Sequence, residues 1–202
     1  MSGRIYRQTA RAAATEATRR RIVEAFVELS RDRWFDEITL ADVAAHAGTT
    51  VRTALRHFSG KDGLVAAVPE HLAPQITARR AVRPGDVGLA IERLFELYET
   101  SGDAFLRFLA LEQRFPVLAP LLEAGRAGHR AVTAANFAPW LEALPASQRG
   151  GALDAVVIAT DVYAWKLLRR DMGRSEAEAK AALRGMVEAI MAGFSERANA
   201  CA

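Results

Sequence analysis

Residues 38–61, ITLADVAAHAGTTVRTALRHFSGK, constrain the fold of this chain more than any other segment. Thr39 and Asp42 have the spacing of a capping box at the start of a helix, and apolar residues then recur at helical spacing. Gly48 supplies the positive φ that ends this helix, and the two threonines after it offer an N-cap for a second one. Two short helices joined by a glycine turn predict a helix-turn-helix, whose second helix enters the major groove of DNA.

The second of these helices is expected to divide its side chains between a core and DNA. Its apolar residues are assigned to the core: Val51, Ala54, Leu55 and Phe58. The polar residues on and around it are the candidates for contact with DNA: Thr39, Thr49, Thr50, Arg52, Thr53, Arg56, His57 and Lys61. Arg52 has the chemistry for a bidentate contact with guanine, and His57 and Lys61 suit phosphates. A helical hairpin unrelated to DNA could also carry caps and a glycine turn, but the basic outer face favours a nucleic-acid site.

The first 68 or so residues resemble the N-terminal DNA-binding domain of the TetR family of bacterial transcriptional regulators. The matching elements are the amphipathic helix RRRIVEAFVELS, the segment ITLADVAAHAG and the closing RHFSGKDGLVAAV. Three positions depart from the family pattern. Trp34 replaces a usual Gly, Arg52 replaces a small residue or Gly, and Leu55 replaces a Tyr that contacts phosphate. The resemblance therefore implies that this phosphate contact is missing here.

Composition agrees with an all-α protein. The chain has 202 residues, of which 50% are hydrophobic and 25% charged, which is typical of a globular protein. It is rich in helix-forming residues and poor in strand-forming runs. We expect about nine helices in all. The chain is expected to consist of a flexible basic arm (residues 1–14), a three-helix helix-turn-helix domain (15–68), and a C-terminal helical bundle for effector binding and dimerisation (69–202).

Basic residues are concentrated near the N-terminus, where residues 1–21 contain 6 arginines and a single acidic residue. Arg4, Arg7 and Arg11 could contact DNA phosphates or a minor groove, or could form a solvated leader, which is favoured for Arg4 and Arg7. The run Arg19–Arg21 lies at the base of the first predicted helix, where phosphate contact is slightly favoured. Whether the arm contacts DNA is left open by the sequence.

No catalytic or metal-binding motif is found, so no catalytic residue, metal or cofactor is assigned. The four histidines lack the spacing of metal ligands, and neither a P-loop nor a nucleophile elbow is present. Two acid–histidine pairs could in principle meet in space, Glu70 with His71 and Glu112 with His129, but ordinary solvated or hydrogen-bonded roles are favoured. The sequence thus argues against an enzyme.

A cytoplasmic protein without a membrane span is expected. The single cysteine, Cys201, excludes an internal disulfide framework and suits a reducing compartment. No apolar stretch follows a basic start, so no signal peptide is expected. The longest apolar segment, GALDAVVIATDVYAWKLL, is interrupted by Asp154, Asp161 and Lys166, which indicates a buried helix.

The last two predicted helices are candidates for a dimer interface. The first, from about Ser147 to Arg170, is apolar on more than one face, and the second begins at a capping box formed by Ser175 and Glu178. The segment 165–179 is similar to the junction between the last two helices of the TetR family. The residues expected between two chains are Val157, Leu183, Val187, Ile190 and Phe194. The alternative is that both helices complete a monomeric core, and the resemblance favours the dimer.

The C-terminal domain is rich in aromatic residues, which suggests an apolar cavity for a ligand. The residues expected to line it are Phe95, Tyr98, Phe105, Phe108 and Trp165. Aromatic stripes at helical spacing are also common in plain cores, so both interpretations stay open. If the cavity exists, its lining indicates an apolar or aromatic ligand.

The leading functional hypothesis is a homodimeric repressor that binds a palindromic operator in double-stranded DNA and is released by a small apolar or aromatic molecule. The second is a DNA-binding regulator or architectural factor of the same fold without a small-molecule effector. The third is an all-α enzyme or binding protein in which the helix-turn-helix is incidental. Operator binding separates the third hypothesis from the others, and ligand-dependent release separates the first from the second.

Overall fold

The computed structural model describes residues 2–200, and the side chains of residues 12–199. The predicted all-α fold is confirmed, since this described range contains helices and no strand. The helices are α1 (Ser2–Leu29), α2 (Leu40–His46), α3 (Val51–Phe58), α4 (Lys61–Arg80), α5 (Val87–Leu111), α6 (Ala119–Asn136), α7 (Ala138–Ala143), α8 (Ala146–Ala159), α9 (Val162–Lys166) and α10 (Glu176–Ala200). None of the helices in the described range is long and apolar enough to cross a membrane.

Helix α1 begins at Ser2 rather than at about Thr15, so residues 2–14 are helical instead of the flexible arm that was expected. The alanine-rich sequence between residues 10 and 17 has high helix propensity and contains no proline or glycine to end a helix. The side chains of Arg4, Arg7 and Arg11 and the whole of Cys201 lie outside the described residues.

The described residues form two compact units, which differ from the domains expected from the sequence. The first unit contains the chain up to Leu72 together with Arg107–Leu122, and the second contains Ala73–Leu106 and the chain from Glu123 onward. The sequence predicts one boundary at residues 68/69, with the segment 107–122 in the second domain. The first unit is therefore not continuous in sequence.

An aromatic cluster shows why Arg107–Leu122 belongs to the first unit. The Phe35 ring centroid lies 6.5 Å from that of Phe26 and 5.3 Å from that of Phe115. Phe108, at the end of α5, lies 6.3 Å from both Phe26 and Phe35. Leu118 is fully buried in the same core. Burial of these side chains removes apolar area from water at about 25 cal/mol per Å², which holds the segment to α1.

The second unit is organised around the fully buried indole of Trp165 on α9. Its ring centroid lies 6.0 Å from that of Tyr98 on α5, and its Nε1 donates to the Glu99 carboxylate at 2.8 Å. The same carboxylate accepts two hydrogen bonds from Arg169, at 2.7 and 2.9 Å. These hydrogen bonds are the main reason that the pKa of Glu99 lies below its usual range.

The long helix expected over residues 147–170 is divided in the structure. Helix α8 ends at Ala159, and Asp161 begins α9 by accepting a hydrogen bond from the Tyr163 N–H at 2.9 Å. An aspartate side chain in this position competes with helix continuation, which explains the break. The predicted capping box of the last helix is confirmed, because Ser175 Oγ accepts from the Glu178 N–H at 3.3 Å and Glu178 accepts from the Ser175 N–H at 2.8 Å.

Candidate nucleic-acid interface

The helix-turn-helix is built by local hydrogen bonds that follow the predicted pattern. Thr39 Oγ1 accepts from the Asp42 N–H at 3.1 Å, and Asp42 accepts from the Thr39 N–H at 2.9 Å. These hydrogen bonds from Thr39 lower the pKa of Asp42. Gly48 has φ +62° at the turn, and Thr50 caps α3 by accepting from the Thr53 N–H at 3.2 Å. The capping box, the glycine turn and the second helix are thus confirmed.

Helix α3 turns a narrow face towards the protein and a wide one towards solvent. Ala54 and Phe58 are buried where α3 packs against α1 and α2, whereas Arg52 and Arg56 are exposed. The side chains of Val51 and Leu55 are 40% and 45% exposed, so their assignment to the core was wrong. Two turns of helix offer one buried stripe, and residues 54 and 58 occupy it, which leaves no core position for the other two.

Four further predicted contact residues lie near α3 but are engaged in building it. The hydroxyls of Thr39 and Thr50 are used in helix caps, and Thr53 Oγ1 lies 3.1 Å from Thr50 Oγ1. Thr49 is half-buried and donates its N–H to Ala44 O at 2.9 Å. His57 is half-buried at the flank of α3. The two arginines therefore carry the accessible positive charge of this helix.

Lys61, predicted to contact phosphate, points into the first unit. Its Nζ donates a short hydrogen bond to the Phe35 carbonyl oxygen and lies 3.9 Å from the centroid of the Phe35 ring. Burial lowers the pKa of Lys61, and Asp36 and Asp62 partly oppose that shift. The ammonium thus ties the start of α4 to the turn before α2.

Two of the three arginines at positions 19–21, which lie within α1 rather than at its start, have intramolecular partners. The Arg19 guanidinium lies 5.3 Å from the centroid of the Phe58 ring and 3.5 Å from the Glu70 carboxylate. Arg20 lies 3.8 Å from Glu24 one turn further along α1. Arg21 is exposed. Arg19 therefore supports the position of α3 from behind, on the side away from its exposed face.

Among the described residues, no three histidine, cysteine or acidic side chains form a group that could hold a metal ion. His46 Nε2 lies 2.7 Å from Glu28, and His71 Nε2 lies 3.7 Å from Glu24. These are ion pairs or hydrogen bonds at helix surfaces.

Of the five aromatic side chains expected to line a ligand cavity, several contact one another within the second unit. Phe95, Tyr98 and Trp165 are buried, and the Tyr98 ring centroid lies 6.5 Å from that of Phe105 in an edge-to-face contact. Phe108 belongs to the first unit. Tyr98 thus packs against both Phe105 and Trp165, and an aromatic ligand cavity at these residues stays a prediction.

A small cavity of about 10 Å³ lies elsewhere in the second unit. Such a volume holds about one water molecule. Half of the residues that line it are polar, and none of the five predicted aromatic residues contributes. The lining residues are Arg80, Ala90, Ile91, Leu94, Thr133, Asn136, Phe137 and Thr160. Sequence reasoning missed these residues because they come from helices far apart in the chain.

The stripe expected between two chains is mostly buried within one chain. Leu183 and Val187 are fully buried, and Ile190 and Phe194 are half-buried, the last with its ring centroid 6.4 Å from that of Trp140. Val157 is half-buried. The assignment of Leu183 and Val187 to an intermolecular face was therefore wrong. The large apolar side chains exposed on and beside these helices are different ones: Ile158, Tyr163, Leu167, Met172 and Met186.

Comparisons with known proteins agree with this architecture. Residues 22–68 match the family described as bacterial regulatory proteins, tetR family. The HTH-type transcriptional repressor Rv3405c of Mycobacterium tuberculosis is 33% identical over 113 residues, which cover 52% of this chain and 57% of that protein. The HTH-type transcriptional regulator Mb3439c of Mycobacterium bovis matches with the same identity and coverage. The chain thus spans little more than half the length of these curated relatives.

The fold is shared with a solved structure over most of both chains. A putative transcriptional regulator from Pseudomonas aeruginosa PAO1 superposes with a TM-score of 0.67 and 16% sequence identity, covering 91% of this chain and 94% of that chain. At this identity the likeness establishes the fold alone. The proteins named by these comparisons are regulators, which agrees with the prediction that this chain is not an enzyme.

Proposed function

We propose that this chain, whose helix-turn-helix segment belongs to the TetR family of bacterial regulatory proteins, is a dimeric transcriptional repressor that binds a palindromic operator. The observation that carries the proposal is the exposed face of α3, where Arg52 and Arg56 project from a helix held by two caps and a glycine turn. A relative of this chain is itself named as a repressor. A recognition helix with its basic residues free and its threonines engaged is arranged to enter a major groove.

The two arginines have different expected roles. Arg52 lies in the first turn of α3, where side chains of a recognition helix reach base edges. Its guanidinium can donate two parallel hydrogen bonds to O6 and N7 of guanine. Arg56, one turn later, suits a phosphate, which positions the helix without reading sequence. The threonine caps contribute by orienting α3 rather than by their own hydroxyls.

Selection from a random duplex pool tests the DNA-binding function. The full-length protein is expected to enrich a two-fold symmetric site with half-sites about one helical turn, 10–10.5 base pairs, or a multiple of it apart. Arg52→Ala should relax the preference at one position of each half-site, at a cost of about 1–3 kcal/mol in discrimination. If the pool yields no preferred sequence, the proposed function is wrong.

Dimerisation is expected through exposed apolar side chains on α8, on α9 and directly after α9. Ile158, Tyr163 and Leu167 are 71%, 57% and 53% exposed, and they follow one another along neighbouring turns. Isolated apolar residues are common on surfaces, but a group of them on adjacent helices marks an interaction site. A two-fold axis through this face would give each half-site of the operator its own copy of α3.

Effector control is supported by the polar cluster around Arg80 in the second unit. Arg80 is 6% exposed and donates from its guanidinium to His129 Nδ1 at 3.0 Å, while His129 Nε2 lies 3.2 Å from the Val157 carbonyl oxygen. Burial, followed by the charge of Arg80, lowers the pKa of His129, and the imidazole supplies no negative charge that would balance the guanidinium. Burial lowers the pKa of Arg80, and no carboxylate among the described residues forms an ion pair with it.

A buried guanidinium without a carboxylate favours an anionic ligand, since an uncompensated buried charge costs several kcal/mol. The adjoining cavity of about 10 Å³ accepts one oxygen-sized group, such as one oxygen of a carboxylate. The effector is therefore expected to carry a small anionic group, in place of the apolar or aromatic ligand expected from the sequence.

Thermal unfolding with sodium formate, acetate and chloride at matched ionic strength tests this effector site. A ligand that binds the folded state raises the midpoint, by the equivalent of about 2.7 kcal/mol at a hundredfold excess over its dissociation constant. Arg80→Gln should abolish the shift of the thermal unfolding midpoint. The anions that raise the midpoint most should also be the most effective in releasing the protein from the operator. Equal responses of wild type and variant to every anion would favour the ligand-independent alternative.

A further inference from the structure

We propose that Val51 and Leu55 read thymine in the operator through its 5-methyl group. The inference rests on the proposed DNA-binding function and adds a specificity that the basic residues of α3 do not provide. It follows from the exposure of two apolar side chains on the same helix face as two arginines.

The single buried stripe of α3 explains why Val51 and Leu55 are exposed, but not why these exposed positions carry apolar side chains. The side chains of Val51 and Leu55 are 40% and 45% exposed, while Ala54 and Phe58 of the same helix are 0% and 5% exposed. A short recognition helix that needed only solubility would carry polar residues at both positions. Their exposure therefore indicates a surface that is covered when the helix meets its partner.

Helical geometry places the apolar and basic pairs side by side. Val51 and Leu55 are four residues apart, as are Arg52 and Arg56, so each pair forms a short row along α3. At 3.6 residues per turn, Leu55 lies about 60° around the helix axis from Arg52. One surface thus presents two methyl-rich side chains beside two guanidinium groups, and a partner must match both.

DNA matches this combination better than an apolar protein surface does. The two arginines suit phosphates and guanine, whereas an apolar protein surface would leave their charges unpaired. Aliphatic side chains cannot hydrogen-bond to phosphate or to a polar base edge. In the major groove the 5-methyl group of thymine is the apolar group that base edges present, and small apolar side chains contact it. The apolar row therefore selects thymine at positions beside the one read by Arg52.

Replacing thymine by uracil tests the contact, because the change removes the methyl group and leaves every hydrogen-bonding group in place. Each thymine of the selected operator is replaced singly, and the dissociation constant of the full-length protein is measured. Wild type is expected to bind about fourfold more weakly for each methyl group that it contacts, from the transfer free energy of one buried carbon. Thymines outside the apolar row serve as internal controls.

Alanine variants of Leu55 and Val51 show which side chain contacts each thymine methyl group. Leu55→Ala should bind the thymine and uracil duplexes equally at one position, and Val51→Ala should do the same at a neighbouring position. Leu89→Ala is the matched control, since Leu89 is a leucine of similar exposure, 40%, in the second unit. Leu89→Ala should keep the wild-type ratio of the dissociation constants for the uracil and thymine duplexes. Because all three side chains are exposed, the variants should retain the thermal midpoint of the wild type.

The outcomes separate this inference from the function on which it rests. Sequence-selective binding with equal affinity for thymine and uracil at every position would overturn thymine readout and leave DNA binding intact. If the ratio of dissociation constants for the uracil and thymine duplexes is the same in Leu55→Ala, in Val51→Ala and in the wild type, thymine readout by these side chains is also overturned. Absence of any sequence-selective complex would overturn the proposed function and the inference together.

Discussion

Lys61 and Arg56 carry the same charge in different surroundings, and their substitution should have different effects. Lys61→Ala removes the hydrogen bond to the Phe35 carbonyl and is expected to lower the free energy of unfolding by about 1 kcal/mol. Arg56→Ala, at an exposed position, should leave stability unchanged and reduce the salt dependence of operator binding by about one unit. Urea unfolding and salt titrations of DNA binding check both. A normal unfolding midpoint in Lys61→Ala would contradict the structural role.

Gly102 and Gly125 are both helical, but only one has room for a side chain. An added Cβ at Gly102 would lie 2.6 Å from the buried Trp165 ring, whereas nothing lies within 4 Å of a Cβ at Gly125. Gly102→Ala is expected to destabilise the protein by about 1–3 kcal/mol because the ring must move. Gly125→Ala should stabilise it by up to about 1 kcal/mol through helix propensity. Denaturant unfolding of the two variants distinguishes them, and equal effects would show that the indole does not lie against α5.

Protonation of His129 should weaken the fold in mild acid. Its folded-state pKa lies below the usual 6.5, mainly because of burial and then because of Arg80, while the Val157 carbonyl and Asp161 oppose the shift. The unfolded chain therefore takes up this proton first, and stability falls as pH drops below about 6.5. The difference in unfolding free energy between wild type and His129→Gln should change over this range. A constant difference from pH 8 to pH 5 would contradict a neutral His129.

At the scale of helices, the segment Arg107–Leu122 is expected to control the stability of the first unit, which carries the proposed DNA-binding helix. Leu118 is fully buried in the core of that unit, so Leu118→Ala should cost about 2–5 kcal/mol. Operator affinity should fall as the unit unfolds, although residue 118 lies far from α3 in sequence. Leu89→Ala, at a position 40% exposed, provides the comparison and should cost less than 1 kcal/mol. Equal unfolding midpoints for the two variants would exclude Leu118 from the core.

Elements whose signals are local could be predicted from the sequence, and elements that depend on distant partners could not. Thr39 with Asp42 and Ser175 with Glu178 are three residues apart, so their capping hydrogen bonds are encoded by adjacent turns. The exposure of Leu55 depends instead on how α1 and α2 cover α3, and periodicity alone does not contain that information. Likewise, Phe108 packs against Phe26 and Phe35, which lie in a distant part of the chain.

At the scale of the whole molecule, two substitutions on the last helices should separate folding from assembly. Ile158 is 71% exposed and Val187 is fully buried. Ile158→Glu should therefore fold normally and become monomeric, with weaker operator binding because only one half-site is held at a time. Val187→Glu buries an unpaired carboxylate at a cost of several kcal/mol and should not fold stably. Light scattering and circular dichroism check both variants, and a fully dimeric Ile158→Glu at micromolar concentration would place the interface elsewhere.

The discontinuity of the first unit has a consequence for synthesis on the ribosome. Helices α1 to α3 emerge first, but Phe108, Phe115 and Leu118 complete their core only after the intervening residues 73–106 have been made. Since loop closure must precede these contacts, the nascent helices lack part of their packing during that interval. A polypeptide terminated before Arg107 would lack the same contacts. Under the proposed function, incomplete translation products should therefore compete poorly for the operator, and occupancy of the site should report on chains that have been synthesised well beyond α3.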